Sequence, residues 1–260
     1  MRTMRLATHT WGAPGGPVAL LIHGMMADHR TWRGVGPALA GQGYHVLGVD
    51  LPGHGRSPRA AGPDGDRPYR LDDMALAVAA ACPGGAALAI GHSLGAMVLE
   101  AAVRRGLTVG RAVYSDPAWR TEPRDLSPAR AYKHATREEI RAANPRWEDA
   151  AVDDEVRCLE LWDPETLTVL QPPPGLPDSA PVPSLVLLAD PSERVPAPQQ
   201  EQLRARGFVL RTVPGTGHSI HRDDLTGFMA ALSGWARADA RPDVGRPGRP
   251  TTRPPERPTT

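Results

Sequence analysis

The pentapeptide Gly91-His92-Ser93-Leu94-Gly95 decides how this chain folds, because it stands between two segments of opposite character. The apolar run at 86–90 is typical of a buried strand, and residues 96–103 favour a helix. A strand that turns directly into a helix forces its central residue to a positive φ angle and leaves no room for side chains two positions away. The stretch therefore predicts a nucleophile elbow, with the Ser93 hydroxyl raised at the end of a strand.

The composition limits the classes of protein to consider. With 260 residues and a net charge of +1, the chain can bury one large core and has no excess charge to capture nucleic acid or an anionic membrane. No apolar run approaches the length of a membrane span, and the N-terminus lacks the apolar segment of a secretion signal. We expect a soluble cytoplasmic protein whose two cysteines, Cys82 and Cys158, are buried free thiols.

Strands and helices alternate along most of the chain. After a weakly alternating edge segment at 3–11, apolar strands are predicted at 17–22, 44–49, 86–90, 109–115, 183–189 and 208–213. Helices are predicted between and after them, at 29–41, 71–82, 96–103, 197–206 and 222–237. This alternation with short links is typical of a doubly wound α/β sheet.

The alternation stops between residues 117 and 181, where no strand is predicted and helical patches occur near 127–142 and 147–161. An insertion of this length is too long for a plain loop, so we expect a helical cap on a core formed by 1–116 and 182–238. Most tryptophan rings in the cap are expected to pack it onto the core, although Trp119 is also a candidate pocket residue. Residues 239–260 are rich in Pro, Arg and Thr, and we predict a disordered tail.

A serine hydroxyl needs a base to become a nucleophile at neutral pH. Of the nine histidines, His218 is the best candidate, because it follows a predicted strand on a glycine-rich loop. His92 is adjacent to the serine but points to the other side of the turn, and His221 opens the last helix. His54 lies in a loop of prolines and glycines, where it can line the pocket.

The acid that orients this base has two candidates. Asp190 ends a predicted strand between Ser93 and His218, which gives the chain order Ser, Asp, His that accompanies the elbow. Asp116 ends the strand that follows the elbow helix and has a similar claim. An aspartate at a strand end is also often only a helix cap. We favour Asp190.

Two backbone amides are candidates for stabilising an oxyanion. The Leu94 N–H lies at the start of the elbow helix, and the Met25 N–H follows a strand end at which Gly24 leaves space. The side chains of Met25 and Met26 would supply an adaptable apolar wall. His23 and His92 are further candidates for the pocket, with the alternative that His23 and Gly24 only turn the chain.

These motifs together resemble the α/β-hydrolase fold superfamily, and in particular its capped serine esterases, lactonases and cofactor-free haloperoxidases. The resemblance is carried by His23-Gly24-Met25, by the segment at 50–57, by the pentapeptide at 91–95 and by Gly215-Thr216-Gly217-His218. It implies a mostly parallel twisted sheet of about eight strands flanked by helices, a cap after the sixth strand and a Ser, Asp, His triad that works through an acyl-enzyme. We expect no metal and no cofactor.

One position departs from the pattern of the family. Relatives have the acid in a Gly-x-x-Asp-x-x-Val-Pro setting, and counting back from Val195 puts Ser192 where that aspartate would be. Asp190 is therefore displaced by two residues, and a loop of different length would have to deliver its carboxylate.

The leading hypothesis is a serine hydrolase that cleaves a small or medium apolar carboxylic ester, thioester or lactone. Ser93 replaces the aspartate nucleophile of haloalkane dehalogenases and epoxide hydrolases, which disfavours those reactions. Acyl transfer, C–C bond hydrolysis and perhydrolysis remain alternatives on the same residues, as does a catalytically weak ligand-binding protein. The expected partner is a small-molecule substrate, without nucleic acid or membrane, and the sequence predicts no oligomeric state.

Overall fold

A computed structural model describes residues 4–59, 69–119 and 125–236. Within these residues a sheet of seven strands runs in the order β1-β3-β2-β4-β5-β6-β7. The strands are β1 Thr8–Trp11, β2 Val18–Ile22, β3 His45–Val49, β4 Ala86–His92, β5 Val109–Ser115, β6 Ser184–Leu188 and β7 Val209–Thr212. The edge strand β1 is antiparallel to β3, and the other neighbours are parallel.

Helices connect the strands. They are α1 Val35–Gly41, α2 Leu71–Ala81, α3 Leu94–Arg104, α4 Ser127–Ala131, α5 Arg137–Ala143, α6 Asp149–Leu161, α7 Ala197–Ala205, α8 Ile220–Asp223 and α9 Leu225–Ala231. Short 3-10 segments lie at His29–Trp32, Tyr132–His134 and Pro164–Leu170. None of the helices in the described residues combines the length and the apolar character needed to cross a membrane.

The central strands of the sheet are buried on both faces, as their apolar sequences predict. Successive residues of β2 point to opposite faces, so Leu20 packs with Met74 and Met97 of α2 and α3, and Leu21 packs with Leu39 and Phe228 of α1 and α9. A full apolar layer on each side fixes the register of the central strands. The carboxyl ends of these strands therefore lie at one edge of the sheet.

The α/β-hydrolase sheet predicted from the sequence is confirmed, with two differences in detail. The described chain has seven strands rather than about eight, and the helical insertion follows β5, the fifth strand rather than the sixth. The last predicted helix is divided into α8 and α9, because Asp224 ends the first and its side chain caps the second by accepting from the Gly227 N–H. The predicted tail at 239–260 lies outside the described residues.

We refer to residues 125–181 as the cap. It contains α4 to α6 and has an apolar cluster of its own, centred on Ile140, Trp147, Val152 and Trp162. The cap is joined to the connection between β3 and α2 through Asp163, whose carboxylate accepts from the Tyr69 hydroxyl at 2.7 Å and whose N–H donates to the Gly53 carbonyl at 2.8 Å. These bonds hold the cap above the carboxyl ends of the strands.

The two cysteines agree with the sequence-based expectation. Cys82 and Cys158 are both buried and free. Burial raises the pKa of both thiols, most strongly that of Cys158, so each is held in its protonated form. The Cys82 thiol also donates to the Gly85 carbonyl oxygen at 3.2 Å.

Candidate active site

The elbow is built as its sequence predicts. β4 ends at His92, Ser93 has φ 52° and ψ −111°, and α3 begins at Leu94. A Cβ atom at Gly91 would lie 2.3 Å from the Gly95 carbonyl oxygen, and one at Gly95 would lie 2.2 Å from the Ile22 carbonyl oxygen. The strained turn therefore exists only because both flanking positions lack side chains.

His218 reaches the elbow serine from the loop after β7. Its Nε2 atom lies 3.0 Å from the Ser93 Oγ atom, within hydrogen-bond distance. Ser93 is buried, with 7% of the residue exposed to solvent, whereas 32% of the His218 side chain is exposed. The histidine can therefore exchange protons with the serine on one side of its ring and be reached by solvent.

The carboxylate beside His218 belongs to Asp116, and the sequence-based choice of Asp190 was wrong. The Nδ1 atom of His218 donates to the Asp116 Oδ2 atom at 2.6 Å, and the Asp116 residue is 1% exposed. Asp190 is exposed, and its carboxylate accepts instead from the Gly215 N–H at 3.2 Å. Asp190 thus fixes the backbone of the loop that carries His218.

The register of the sheet explains this outcome. β4 and β5 are neighbours and pair His92 with Ser115, so the next residues, Ser93 and Asp116, leave the same edge of the sheet side by side. Asp116 adopts φ 39°, a left-handed conformation that turns the chain out of β5. Asp190 comes two residues after the end of β6, one strand further from the serine.

Ser192 binds the second oxygen of this carboxylate. Its hydroxyl donates to Asp116 Oδ1 at 2.8 Å and accepts from the Val195 N–H at 3.1 Å, which fixes the direction of the hydroxyl proton. The Ala189 N–H also points at Asp116 Oδ1, at 3.4 Å. The position at which the family pattern would have an aspartate therefore holds a hydroxyl that orients an aspartate from the neighbouring strand.

His92 contacts the His218 loop rather than the serine. Its Nε2 atom donates to the His218 carbonyl oxygen at 2.9 Å. Burial, and then the nearby His218 and His221, lower the pKa of His92 well below its ordinary value. A neutral ring of fixed tautomer therefore links the elbow to the backbone of His218.

The two expected oxyanion donors lie on adjacent segments. Leu94 is the first residue of α3, and Met25 follows Gly24 after β2; both line the cavity at Ser93. A Cβ atom at Gly24 would lie 2.8 Å from the His92 Nδ1 atom and 3.2 Å from the Ser93 Cβ atom. Because Gly24 has no side chain, the segment leading to Met25 can pack directly against the elbow.

A cavity of about 820 Å³ opens between the cap and the sheet, with Ser93 and His218 in its wall. Its volume is typical of a site for a small molecule. His92 and Met26, both predicted as pocket residues, line it. Cap residues from α4 to α6 and from the 3-10 segment Pro164–Leu170 form the opposite side.

Three other predicted pocket residues lie elsewhere in the structure. Trp119 is 2% exposed and packs in the core against Tyr114 and Phe208, because the chain after Asp116 turns inward. His23 is fully buried; its Nδ1 atom donates to the Gly24 carbonyl and its Nε2 atom accepts from the Leu51 N–H at 2.9 Å. His54 is also fully buried, with its ring 5.1 Å from that of His23.

Comparison with known proteins agrees with this architecture. A model of the alpha/beta hydrolase family matches residues 19–231. The chain belongs to the alpha/beta hydrolase family. The match includes the elbow, Asp116, the cap and His218.

Individual relatives match over shorter stretches of the chain. A pimeloyl-(acyl-carrier protein) methyl ester esterase of Aeromonas hydrophila is 43% identical over 83 residues, 32% of this chain and 30% of that protein. Epoxide hydrolase A of Mycobacterium tuberculosis is 35% identical over 96 residues, 37% of this chain and 30% of that protein. The chain thus matches under a third of the length of these curated relatives.

The fold itself is shared over nearly the whole chain. The solved structure of an N-formylmaleamic acid deformylase from Pseudomonas putida superposes with a TM-score of 0.74. The superposition covers 89% of this chain and 97% of that one, at 22% sequence identity. At this identity the likeness establishes the fold of the chain and not its activity or substrate.

The cap is bonded to the His218 loop by a group of contacts that sequence reasoning missed. Arg222 of α8 donates to Glu155 of α6 at 2.6 Å, and its guanidinium carbon lies 3.4 Å from the centre of the Trp147 ring. Asp223 accepts from the Trp147 Nε1 atom at 2.8 Å and from the Gly217 N–H at 2.6 Å. No pattern in the sequence pairs residues that lie so far apart.

In the described part of the chain, one group of side chains has the spacing of a metal site: Asp28, His29 and Asp50. Each is already bonded within the protein. His29 Nδ1 lies 2.8 Å from Asp50, which also accepts from the backbone of His29 and Arg56, and Asp28 is paired with Arg30. The group braces the segment after β2 against the segment after β3.

Proposed function

We propose that this alpha/beta hydrolase is a serine hydrolase that cleaves a small or medium apolar carboxylic ester, thioester or lactone through an acyl-enzyme. The observation that carries the proposal is the hydrogen-bonded chain from Ser93 Oγ through His218 to Asp116, which opens into a cavity. A serine, a base and a buried carboxylate in this geometry are the parts that acyl transfer requires.

In the proposed reaction His218 Nε2 takes the hydroxyl proton of Ser93 while the serine oxygen attacks the carbonyl carbon. The carbonyl oxygen becomes an oxyanion, held by the N–H groups of Met25 and Leu94. When the intermediate collapses, the bond to the leaving group breaks and His218 returns the proton to it. Water then attacks the acyl-enzyme in the same way and releases the carboxylic acid and free Ser93.

Asp116 has the role of orienting His218 and stabilising its imidazolium form. Its buried position, with one oxygen on His218 and the other on Ser192, suits that role, because a carboxylate oriented on both sides is preorganised. The hypothesis of a ligand-binding protein rested on the displaced Asp190. Asp116 removes that ground, and we favour an active enzyme.

A fluorophosphonate probe tests the nucleophile. We expect covalent labelling of the wild-type protein, none for Ser93→Ala, and a rate of labelling lowered at least about a hundredfold for His218→Ala. Ser233→Ala, a change at an exposed serine, is the matched control and should label as the wild type does. Equal labelling of wild type and Ser93→Ala would refute the proposal.

The identity of the acceptor needs its own measurement. Acyl transfer, C–C bond hydrolysis and perhydrolysis use the same three residues, so they are distinguished by products formed with water, an alcohol or peroxide. The match to a methyl ester esterase supports hydrolysis of esters. The match to an epoxide hydrolase makes an epoxide the necessary negative control, and turnover of epoxides by Ser93→Ala would contradict the serine mechanism.

A further inference from the structure

Among the side chains that line the cavity are two groups with different chemistry. The first, which we call the apolar wall, consists of Met25, Met26, Leu126, Ala129, Leu167 and Leu170. The second, which we call the polar wall, consists of Asn144, Arg146, Asp190, Glu193, Arg194 and Asp223. From this division we propose that the hydrolase selects an apolar acyl group and a polar, hydrogen-bonding leaving group. The inference rests on the proposed serine mechanism.

The apolar wall begins at the oxyanion segment and continues into the cap. Met25 and Met26 pack against the buried apolar cluster of the cap, together with Leu126, Ala129 and Leu170. The Met25 sulfur also lies 3.2 Å from the Thr166 hydroxyl oxygen. An acyl chain bound along this wall would bury apolar surface against these side chains.

The polar wall is attached to the loop that carries His218. Arg146 donates to the Gly215 carbonyl, Asp190 accepts from the Gly215 N–H, and Asp223 accepts from the Gly217 N–H. All of these loop contacts lie within three residues of His218. The polar wall therefore stands on the histidine side of Ser93.

The reaction assigns one part of the substrate to each wall. The tetrahedral carbon carries the Ser93 oxygen, the oxyanion, the leaving atom and the acyl group. The leaving atom must receive its proton from His218 Nε2, so it lies on the side of the polar wall. The oxyanion is held by backbone amides, and the acyl group takes the remaining direction, along the Met25 side chain and the cap.

The charges of the polar wall define the leaving group further. Arg146 and Arg194 carry positive charge, whereas Asp190, Glu193 and Asp223 carry negative charge. A wall of mixed sign offers both donors and acceptors to a neutral group with several hydroxyls. An apolar leaving group would instead displace water from these side chains without offering hydrogen bonds in its place.

Two series of esters test the proposal. Across glycerol esters from acetyl to octanoyl we expect kcat/KM to rise by up to about fourfold per methylene. This factor corresponds to ~0.8 kcal/mol for each buried methylene at an RT of ~0.59 kcal/mol. Glyceryl hexanoate and propyl hexanoate share the same acyl chain and a three-carbon alcohol. We expect the glycerol ester to have a kcat/KM at least about tenfold higher.

A matched pair of variants assigns the acyl group to the cap. Ala129→Phe fills the apolar wall, and Ala143→Phe adds the same bulk beside Asn144 on the polar side. We expect Ala129→Phe to lower kcat/KM for the octanoyl ester at least about tenfold while the acetyl ester stays within about threefold. Ala143→Phe should keep the wild-type dependence on acyl length.

The outcomes separate this inference from the proposed function. If Ser93 is labelled and esters are hydrolysed, but the rate is independent of acyl length or the propyl ester is preferred, the inference is wrong and the serine mechanism stands. An effect of Ala143→Phe on acyl length equal to that of Ala129→Phe would also overturn it. Absence of both labelling and turnover would overturn the inference together with the mechanism.

Discussion

The Nδ1 atom of His218 lies 2.6 Å from the Oδ2 atom of Asp116, although 102 residues separate the two in the chain. Ser93 and Asp116 meet because β4 and β5 are parallel neighbours that end together. His218 is brought to them by the loop after β7, at the far edge of the sheet. The site is therefore assembled by the sheet and not by any local segment.

Replacing the two candidate acids separates their roles. Asp116→Asn should lower kcat by about 10³ to 10⁴-fold, because the amide no longer fixes the tautomer of His218 or stabilises its charged form. Asp190→Asn keeps an oxygen that can accept from the Gly215 N–H, so we expect it to lower kcat by no more than about tenfold. Steady-state kinetics with one ester checks both variants, and a larger loss for Asp190→Asn would reverse the assignment.

Removing the Ser192 hydroxyl should weaken the orientation of Asp116. For Ser192→Ala we expect kcat to fall by about tenfold, with KM little changed. This loss corresponds to ~1.4 kcal/mol, the order of one hydrogen bond to a charged group. Ser192→Thr keeps the hydroxyl and should restore most of the rate. A change confined to KM would show that Ser192 acts on substrate binding instead.

The elbow glycines should tolerate no side chain. A Cβ atom at Gly91 or Gly95 would lie within 2.3 Å of a backbone carbonyl oxygen that cannot move away. We expect Gly91→Ala and Gly95→Ala each to lower the free energy of unfolding by more than ~2 kcal/mol. Gly84→Ala, where a Cβ atom would meet nothing within 4 Å, should stay within ~0.5 kcal/mol in urea titrations.

Four buried histidines should make the fold sensitive to acid. Burial lowers the pKa of His23 and His92, and it lowers the pKa of His54 and His221 to about 3. Between the ordinary value of 6.5 and these folded values the unfolded chain binds more protons, so stability falls as the pH falls. Asp50, whose pKa is lowered to about 2 chiefly by its hydrogen bond to His29, adds a further loss at lower pH.

Urea titrations at pH 7.5, 6.5 and 5.5 measure this effect. We expect each fully shifted histidine to contribute up to ~1.4 kcal/mol of lost stability per pH unit below 6.5. His221→Phe removes one of these groups, so the free energy of unfolding should depend less steeply on pH, by the contribution of about one proton. His134→Gln, a change at an exposed histidine, should leave this dependence unchanged. A flat profile between pH 7.5 and 5.5 would contradict the assignment.

The ion pair between cap and loop should be important for stability. Arg222→Met leaves the Glu155 carboxylate buried without its partner, so we expect the free energy of unfolding to fall by ~3–5 kcal/mol. Adding Glu155→Gln should recover part of the loss, because it removes the buried charge. Arg204→Met, on the exposed face of α7, is the control and should be nearly neutral in the same urea titrations.

The sequence by itself determined the sheet, the elbow and the choice of His218 as the histidine beside Ser93. The pentapeptide at 91–95 has steric requirements that only one backbone conformation meets, and buried parallel strands are long apolar runs that can be recognised without a structure. The approach of His218 to Ser93 could be predicted from its place after the last strand. All of these features depend on neighbours in the chain.

The tertiary structure decided what depends on neighbours in space. Chain order favoured Asp190, but the register of β5 against β4 put Asp116 beside Ser93, within reach of His218. Ser192 was found only as the hydrogen-bond partner of Asp116. The Arg222 contacts and the two cavity walls also became visible only in the tertiary structure. Their residues come together because separate strands, the cap and one loop end at a single edge of the sheet, a convergence that no local pattern encodes.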